Sequence, residues 1–262
     1  MQLNQLVVLS NEKVSERYWH MVVDAKGMTD EIQPGQFFNI KCSDESYPFL
    51  RRPFSIYRIN KETETLEFLY LIKGLGTKDL TKIKAGETVD VFGPLGVGFT
   101  LENKWDTILL LARGVGIATL AALAQEAAKQ HIVCIAILSA RSNNDLLAAE
   151  TLQGFGAKVY KVTEEDRTSN VENVERIIED IFNEYDVKAG FTCGSKRLSK
   201  LMKKVAAEKN IPGQIALEEH MGCAMGVCYA CVCDLQHEDG SLESVRVCKE
   251  GPVFELSKVV LA

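Results

Sequence analysis

A multidomain β + α/β architecture is what this sequence predicts: an antiparallel β-barrel, then a doubly wound parallel α/β unit, then a short cysteine-rich segment. Three observations predict it. Short β-rich runs separated by turn residues fill the first hundred positions. From Trp105 onward, continuous apolar runs alternate with helix-forming stretches. Five of the eight cysteines fall between 223 and 248. The expected segments are 1–101, 102–217 and 218–262.

Within the first segment the expected strands are Leu3–Leu9, Tyr18–Val23, Phe37–Lys41, Phe54–Ile59, Leu66–Ile72 and Thr88–Phe92. Leu66, Phe68, Tyr70 and Ile72 share one face of their strand by the period of two. Pro34-Gly35 and the G-P-L-G of Gly93–Gly96 supply turn chemistry between runs. Closure into a small barrel is the expected outcome, because it removes exposed strand edges.

The second segment opens with T-I-L-L-L-A at Thr107–Ala112, apolar throughout, as a parallel strand covered on both faces requires. A helix over Ala118–Gln130 follows, then a strand Ile132–Leu138, a helical stretch near Asp145–Leu152 and a strand Lys158–Val162. A helix Val171–Asn183, a strand Gly190–Cys193, a helix Ser195–Lys209 and a strand Gln214–Leu217 complete it. That alternation means a doubly wound sheet.

Composition narrows the function classes. The 262 residues are 46% apolar and 25% charged, ordinary for a globular protein, and 30 basic against 36 acidic side chains leave a net charge of −6. That balance argues against nucleic acid or an anionic membrane surface as the main partner. The opening M-Q-L-N-Q-L-V-V-L-S-N-E-K lacks the basic and apolar regions of a secretory leader. No run approaches the roughly 18 apolar residues of a spanning helix. A cytoplasmic protein is expected.

Cys223, Cys228 and Cys231 are spaced C-x4-C-x2-C, with Cys248 as a distant fourth thiolate. This is the plant-type ferredoxin order for a [2Fe–2S] cluster. Small residues at Gly222, Ala224, Gly226 and Ala230 let the loop curl close to inorganic sulfur and aim N–H groups at it. Zinc prefers two close pairs of ligands and fits this order poorly. Disulfides need an oxidising compartment that nothing else supports. Cys233 is a fifth thiol that the spacing does not require, and it reads as structural. Cys42, Cys134 and Cys193 sit in apolar runs and read as core residues.

Arg51-Arg52-Pro53-Phe54-Ser55 is the second informative stretch. A strand with Arg52 and, three residues on, Ser55 can pair a guanidinium with a pyrophosphate and offer a hydroxyl to a ring system. Taken alone, a basic pair beside a turn reads better as solvated surface. Gly74-Leu75-Gly76-Thr77 then presents backbone N–H groups ahead of a short helix, which suits phosphate.

Together with P-G-Q-F at Pro34–Phe37, G-P-L-G-V-G-F at Gly93–Phe99, T-C-G at Thr192–Gly194 and V-C-K-E-G-P-V-F at Val247–Phe254, these motifs span the chain. By them the sequence resembles the ferredoxin-reductase family of flavoproteins, and within it the electron-transfer subunits of type B dihydroorotate dehydrogenases. The resemblance implies FAD held by Arg52, Pro53, Phe54, Ser55, Leu69, Tyr70, Leu71, Gly74, Gly76 and Thr77, and a [2Fe–2S] cluster on Cys223, Cys228, Cys231 and Cys248. It further implies NAD(H) as electron source and a flavin-containing dehydrogenase catalytic subunit as partner in a hetero-oligomer. No general base is implied, because the cofactors carry the chemistry.

One stretch departs from the family pattern. Where members usually carry G-G-G-x-G-x-P-P, this chain has Ala112-Arg113-Gly114-Val115-Gly116-Ile117-Ala118-Thr119, and after the third strand of the sheet it has Glu164-Glu165-Asp166-Arg167 without glycine. Arg113, Gly114, Gly116, Cys193 and Gly194 are the positions that would face pyridine nucleotide. Three readings of Arg113 stay open at this point: NADH bound in altered geometry, preference for the 2′-phosphate of NADPH, or loss of the site. With the site lost, the chain would be a redox adaptor for a different oxidoreductase. A colourless, zinc-holding binding subunit is the remaining alternative.

Overall fold

The computed structural model describes residues 2–28, 32–43 and 45–261, so the outermost positions of the expected segments, 1 and 262, lie outside the described residues. The first half is a seven-stranded antiparallel sheet, formed by β1 (Gln2–Lys13), β2 (Tyr18–Asp24), β3 (Phe37–Ile40), β4 (Arg52–Ser55), β5 (Arg58–Asn60), β6 (Thr65–Leu71) and β7 (Thr88–Leu95) in the order β4-β3-β7-β1-β2-β6-β5. It coils around Val8, Met21, Phe38, Ile40, Leu66 and Phe68, each at most 1% exposed, and the short helix α1 (Leu75–Leu80) lies between β6 and β7 in the chain.

Closure comes from chain continuity at the two edges. The two edge strands β4 and β5 are consecutive in the chain, and the residues between them change partner: Ile56 N–H donates to Gln36 O and Tyr57 N–H to Glu67 O. The run expected as one strand, Phe54–Ile59, therefore breaks in two, and covalent continuity rather than a hydrogen-bonded ladder closes the barrel. Phe54 and Tyr70 stack edge-on across the seam with ring centroids 5.6 Å apart. The G-P-L stretch is also strand rather than turn, since β7 runs through to Leu95 and Gly93 packs under the Phe38 ring.

The second half is a six-stranded sheet in the order β10-β9-β8-β11-β12-β15, formed by β8 (Thr107–Arg113), β9 (Val133–Ala140), β10 (Lys158–Thr163), β11 (Ala189–Cys193), β12 (Gly213–Ala216) and β15 (Val253–Glu255). Five strands are parallel; β15, unforeseen in the sequence, joins the edge antiparallel to β12. Strand alternation sends Ile108 and Leu110 to one face, with α2 (Ile117–Lys129) and α3 (Ala149–Gly154), and Leu109 and Leu111 to the other, with α4 (Val171–Glu184) and α5 (Lys196–Glu208). Truncating one of these fully buried leucines to alanine would cost about 2–5 kcal/mol.

Local chemistry sets the helix starts. Asn170 Oδ1 accepts the Asn173 amide at 2.8 Å, and Ser195 Oγ accepts the Leu198 amide at 3.5 Å. In α4 the buried Val174, Ile178 and Ile181 recur at helical spacing. The helical stretch expected near Asp145–Leu152 is split. A 3-10 turn covers Asn143–Asp145, and α3 starts only after Ala148, whose φ of 62° breaks the helix.

The C-terminal segment adds a hairpin of β13 (Val232–Gln236) and β14 (Leu242–Arg246), while Cys231, Val245, Val247 and Cys248 pack into the core on the α5 side of the sheet. No helix among the described residues is long and apolar enough to cross a membrane.

Candidate functional site

All three segments meet at one cleft of about 570 Å³. Its barrel wall is Arg52–Ser55 and Leu69–Leu71, its floor continues through Lys73, Gly74 and Thr77, and Val115 and Ala118 enter from the turn after β8. The far wall is Leu217–Met221, the linker that runs directly into Cys223, together with Pro252.

Two neighbouring arginines there do different things. Arg51 points back into the barrel, with Nη2 2.9 Å from Asp90 Oδ1 and Nη1 3.0 Å from the Asp90 carbonyl. Arg52 makes no ion pair among the described residues; its Nη1 donates to the Leu50 carbonyl at 2.6 Å and its side chain lies over Gly76, with Nε 3.4 Å from where a Cβ would stand. A cation without a carboxylate at the mouth of an elongated cleft fits the pyrophosphate of a dinucleotide such as FAD.

Thr77 Oγ1 accepts the amides of Lys73 (2.9 Å) and Gly74 (3.2 Å), so its hydroxyl shapes the loop. Gly76 lies under Arg52 rather than in the cleft lining. The Tyr70 hydroxyl is likewise committed inside the barrel, donating to Asn11 Oδ1 at 2.8 Å, and burial raises it well above the usual phenol range. The flanking Leu69 and Leu71 take the opposite side of β6.

Sequence reasoning missed Lys73, Glu218, Glu219, His220 and Met221 in the cleft wall. For Glu218–Met221 the one signal was position, directly before the first cluster cysteine; Lys73 had none beyond adjoining Gly74. The Glu218 side chain is open to the cleft yet ringed by protein, and this desolvation pushes its carboxyl above the ordinary range, with the Lys73 ammonium opposing the shift.

The four expected thiols come as two pairs. The Cys223 amide donates to Cys228 Sγ at 3.4 Å, and the Cys248 amide to Cys231 Sγ at 3.4 Å. Partial burial raises the Cys223 thiol, but hydrogen bonds from the amides of Met225, Cys228 and Val227 outweigh it and bring the group to about 6. Burial and the neighbouring Cys231 push Cys248 up, to about 12. No three Cys, His, Asp or Glu side chains converge on a single ion position among the described residues. Two thiol pairs suit a two-iron cluster, one pair per iron.

The curl of the loop falls at Ala224 (φ 55°), Gly226 (φ 85°) and Tyr229 (φ 54°). Arg246, also missed, braces it: Nη1 donates to the Gly226 carbonyl at 2.8 Å, the guanidinium sits 5.0 Å from the Tyr229 ring centroid, and Nε donates to Glu250 at 3.1 Å. Cys233 lies in β13 opposite Val245, outside both thiol pairs.

The residues expected at pyridine nucleotide do not line the cleft. Cys193 pairs opposite Ala112 in the sheet and is 2% exposed, and burial drives its thiol well up, with the Glu218 carboxylate adding to the shift. Gly116 packs on the backbone of Cys193, where a Cβ would come within 2.7 Å. Arg113 Nη1 donates to Ser139 Oγ at 2.6 Å and Nη2 meets Glu164 Oε1 at 2.5 Å.

Residues 218–260 match the model of the iron-sulfur cluster binding domain of dihydroorotate dehydrogenase B. The electron transfer subunit of dihydroorotate dehydrogenase B (NAD(+)) from Bacillus cereus (strain B4264) is 32% identical over 263 residues, covering 100% of both chains. The subunit of the same name from Bacillus anthracis (strain CDC 684 / NRRL 3495) is also 32% identical, again over 100% of both. This chain belongs to the family of dihydroorotate dehydrogenase B electron transfer subunits. Among solved structures, that of an NADH-dependent reduced ferredoxin-NADP oxidoreductase superposes with a TM-score of 0.82 at 23% identity, covering 98% of this chain and 90% of that one. Ferredoxin-NADP+ reductase from Plasmodium falciparum follows at 0.64 and 14%, with 80% and 95% covered. The fold of this family member is thus ferredoxin-reductase-like.

Proposed function

We propose that this chain is the electron-transfer subunit of a dihydroorotate dehydrogenase, linking pyridine nucleotide to a flavin-containing catalytic subunit in the cytoplasm. One observation carries the reading: the cleft wall Leu217–Met221 is continuous with the first thiol, Cys223, so a flavin in the cleft and a cluster on the thiols would be neighbours. The segment 1–101 would hold FAD, 102–217 would meet nucleotide and 218–262 would hold the cluster.

Arg52 neutralises the flavin pyrophosphate while Gly74, Gly76 and Thr77 shape the loop beside it. Pro53, Phe54, Ser55 and Leu69–Leu71 form the wall against the ring. Cys223 and Cys228 would hold one iron, Cys231 and Cys248 the other. When bound, FAD would accept two electrons as one hydride, and the cluster would carry them one at a time. The protein's own work is to hold these groups in place and keep bulk water away. Exposed Met225, Val227 and Tyr229 surround exposed Cys228 and supply an apolar surface for the catalytic partner.

The test is anaerobic reduction of the FAD- and iron-loaded protein, with absorbance of both chromophores followed. Dihydroorotate added with the catalytic partner should bleach flavin and cluster together. A partner-saturated protein that dithionite reduces but dihydroorotate does not would overturn the reading. A second reading, an adaptor that does not use NAD(P)H, is favoured by the engagement of Arg113 with Glu164.

A further inference from the structure

In an open α/β sheet, ligands enter where the strand order reverses, outside the carboxyl ends of the strands. Here that point lies between β8 and β11, because the chain leaves β8 toward β9 and β10 and returns to β11 and β12. The crevice at this point is closed. Gly194 and Gly116 bring the ends of the two strands into backbone contact. On the β9 side lies a cavity of about 10 Å³, walled by Gly114, Ser139, Leu146 and Leu147. From the barrel, the Tyr18 hydroxyl comes 3.3 Å from where a Cβ on Gly114 would stand, and Ser15 Oγ donates to Asp145 at 3.2 Å.

Across the top runs an ion pair. The Arg113 side chain, 17% exposed, spans from the end of β8 to Ser139 on β9 and Glu164 beyond β10. Glu164 also stands 4.0 Å from Arg197, whose Nη2 donates to the Ser169 carbonyl at 3.0 Å, so one carboxylate draws in arginines from both sides of the reversal.

Resting on the proposed electron-transfer role, we propose that Arg113 and Glu164 form a latch that decides pyridine-nucleotide access: closed, it puts a carboxylate and a committed guanidinium where the pyrophosphate of NAD(H) must approach the turn. Parting the pair removes the like charge and frees a cation for the phosphates.

Calorimetric titration of the FAD- and cluster-loaded full chain with NAD+ tests this without relying on turnover. Glu164→Gln should bind at least tenfold more tightly than the wild-type protein, and Arg113→Gly, which empties the same space, should also bind more tightly. Unchanged or weaker binding in both variants, with flavin spectra and circular dichroism intact, would overturn the latch. Reduction of the wild-type protein by dihydroorotate through its partner judges the electron-transfer role separately, since that route does not cross the latch.

Discussion

Gly194 lies directly beneath the Arg113 carbonyl: with φ at 90°, a Cβ at 194 would stand 2.2 Å from that oxygen. Strand end and turn are therefore locked together by backbone alone, and Gly194→Ala has nowhere to place its methyl. Left-handed strain of about 1–2 kcal/mol adds to the clash, so the variant should lose about 2–4 kcal/mol of stability. A urea titration followed by far-ultraviolet circular dichroism checks this; a midpoint within error of the wild-type value would show that the turn yields.

Arg51 and Arg52 should separate stability from cofactor binding. Arg51→Ala removes a guanidinium from Asp90, whose Oδ1 has the ion pair but no aligned hydrogen-bond donor, and should destabilise the barrel by about 1–3 kcal/mol. Its FAD affinity should hold. Arg52→Ala breaks no ion pair, so the fold should survive while FAD affinity falls about 10- to 100-fold, the worth of one charge-assisted hydrogen bond. Flavin fluorescence released on dilution measures both. Equal losses of affinity would mean that Arg52 has no special role.

The difference between these neighbours marks what the sequence makes legible. Runs such as Thr107–Ala112 and the spacing of Val174, Ile178 and Ile181 declare themselves, because one period is consistent with one element. The thiol spacing is equally local. Which arginine turns inward depends on Asp90, thirty-nine positions from Arg51, and the break at Ile56-Tyr57 depends on acceptors at Gln36 and Glu67. Lys73, Glu218 and Arg246 carry no motif; tertiary folding alone brings them to the cleft and the cysteine loop. β15 is three residues long and antiparallel, too short for any periodic signal.

Glu218 should give the flavin cleft a titration of its own. Desolvation raises its carboxyl, so the proton stays on at a pH where an ordinary glutamate has already ionised, and Lys73 works against this. The visible spectrum of bound FAD should therefore show a transition above the usual range for glutamate, near 4.3. Glu218→Gln should abolish it. Lys73→Ala should move it to higher pH, since the lost ammonium stabilised the charged form. A transition that survives in Glu218→Gln belongs to another group.

The fifth thiol offers the sharpest check on the cluster. Cys233 sits in β13 facing the Val245 pair position, while hydrogen bonds tie Cys223 to Cys228 and Cys231 to Cys248. Strand pairing fixes its backbone, so moving its sulfur into the loop would require unzipping the hairpin. Cys233→Ser should then keep two irons per chain and an unchanged electron paramagnetic resonance spectrum on reduction, as expected for a four-thiolate [2Fe–2S] cluster. Serine at any of the four paired positions should lower iron content or shift the spectrum, because an alkoxide is a harder ligand than a thiolate. If Cys233→Ser loses iron while Cys248→Ser keeps its native spectrum, the second pair is Cys231 with Cys233, and the hairpin must open to build the site.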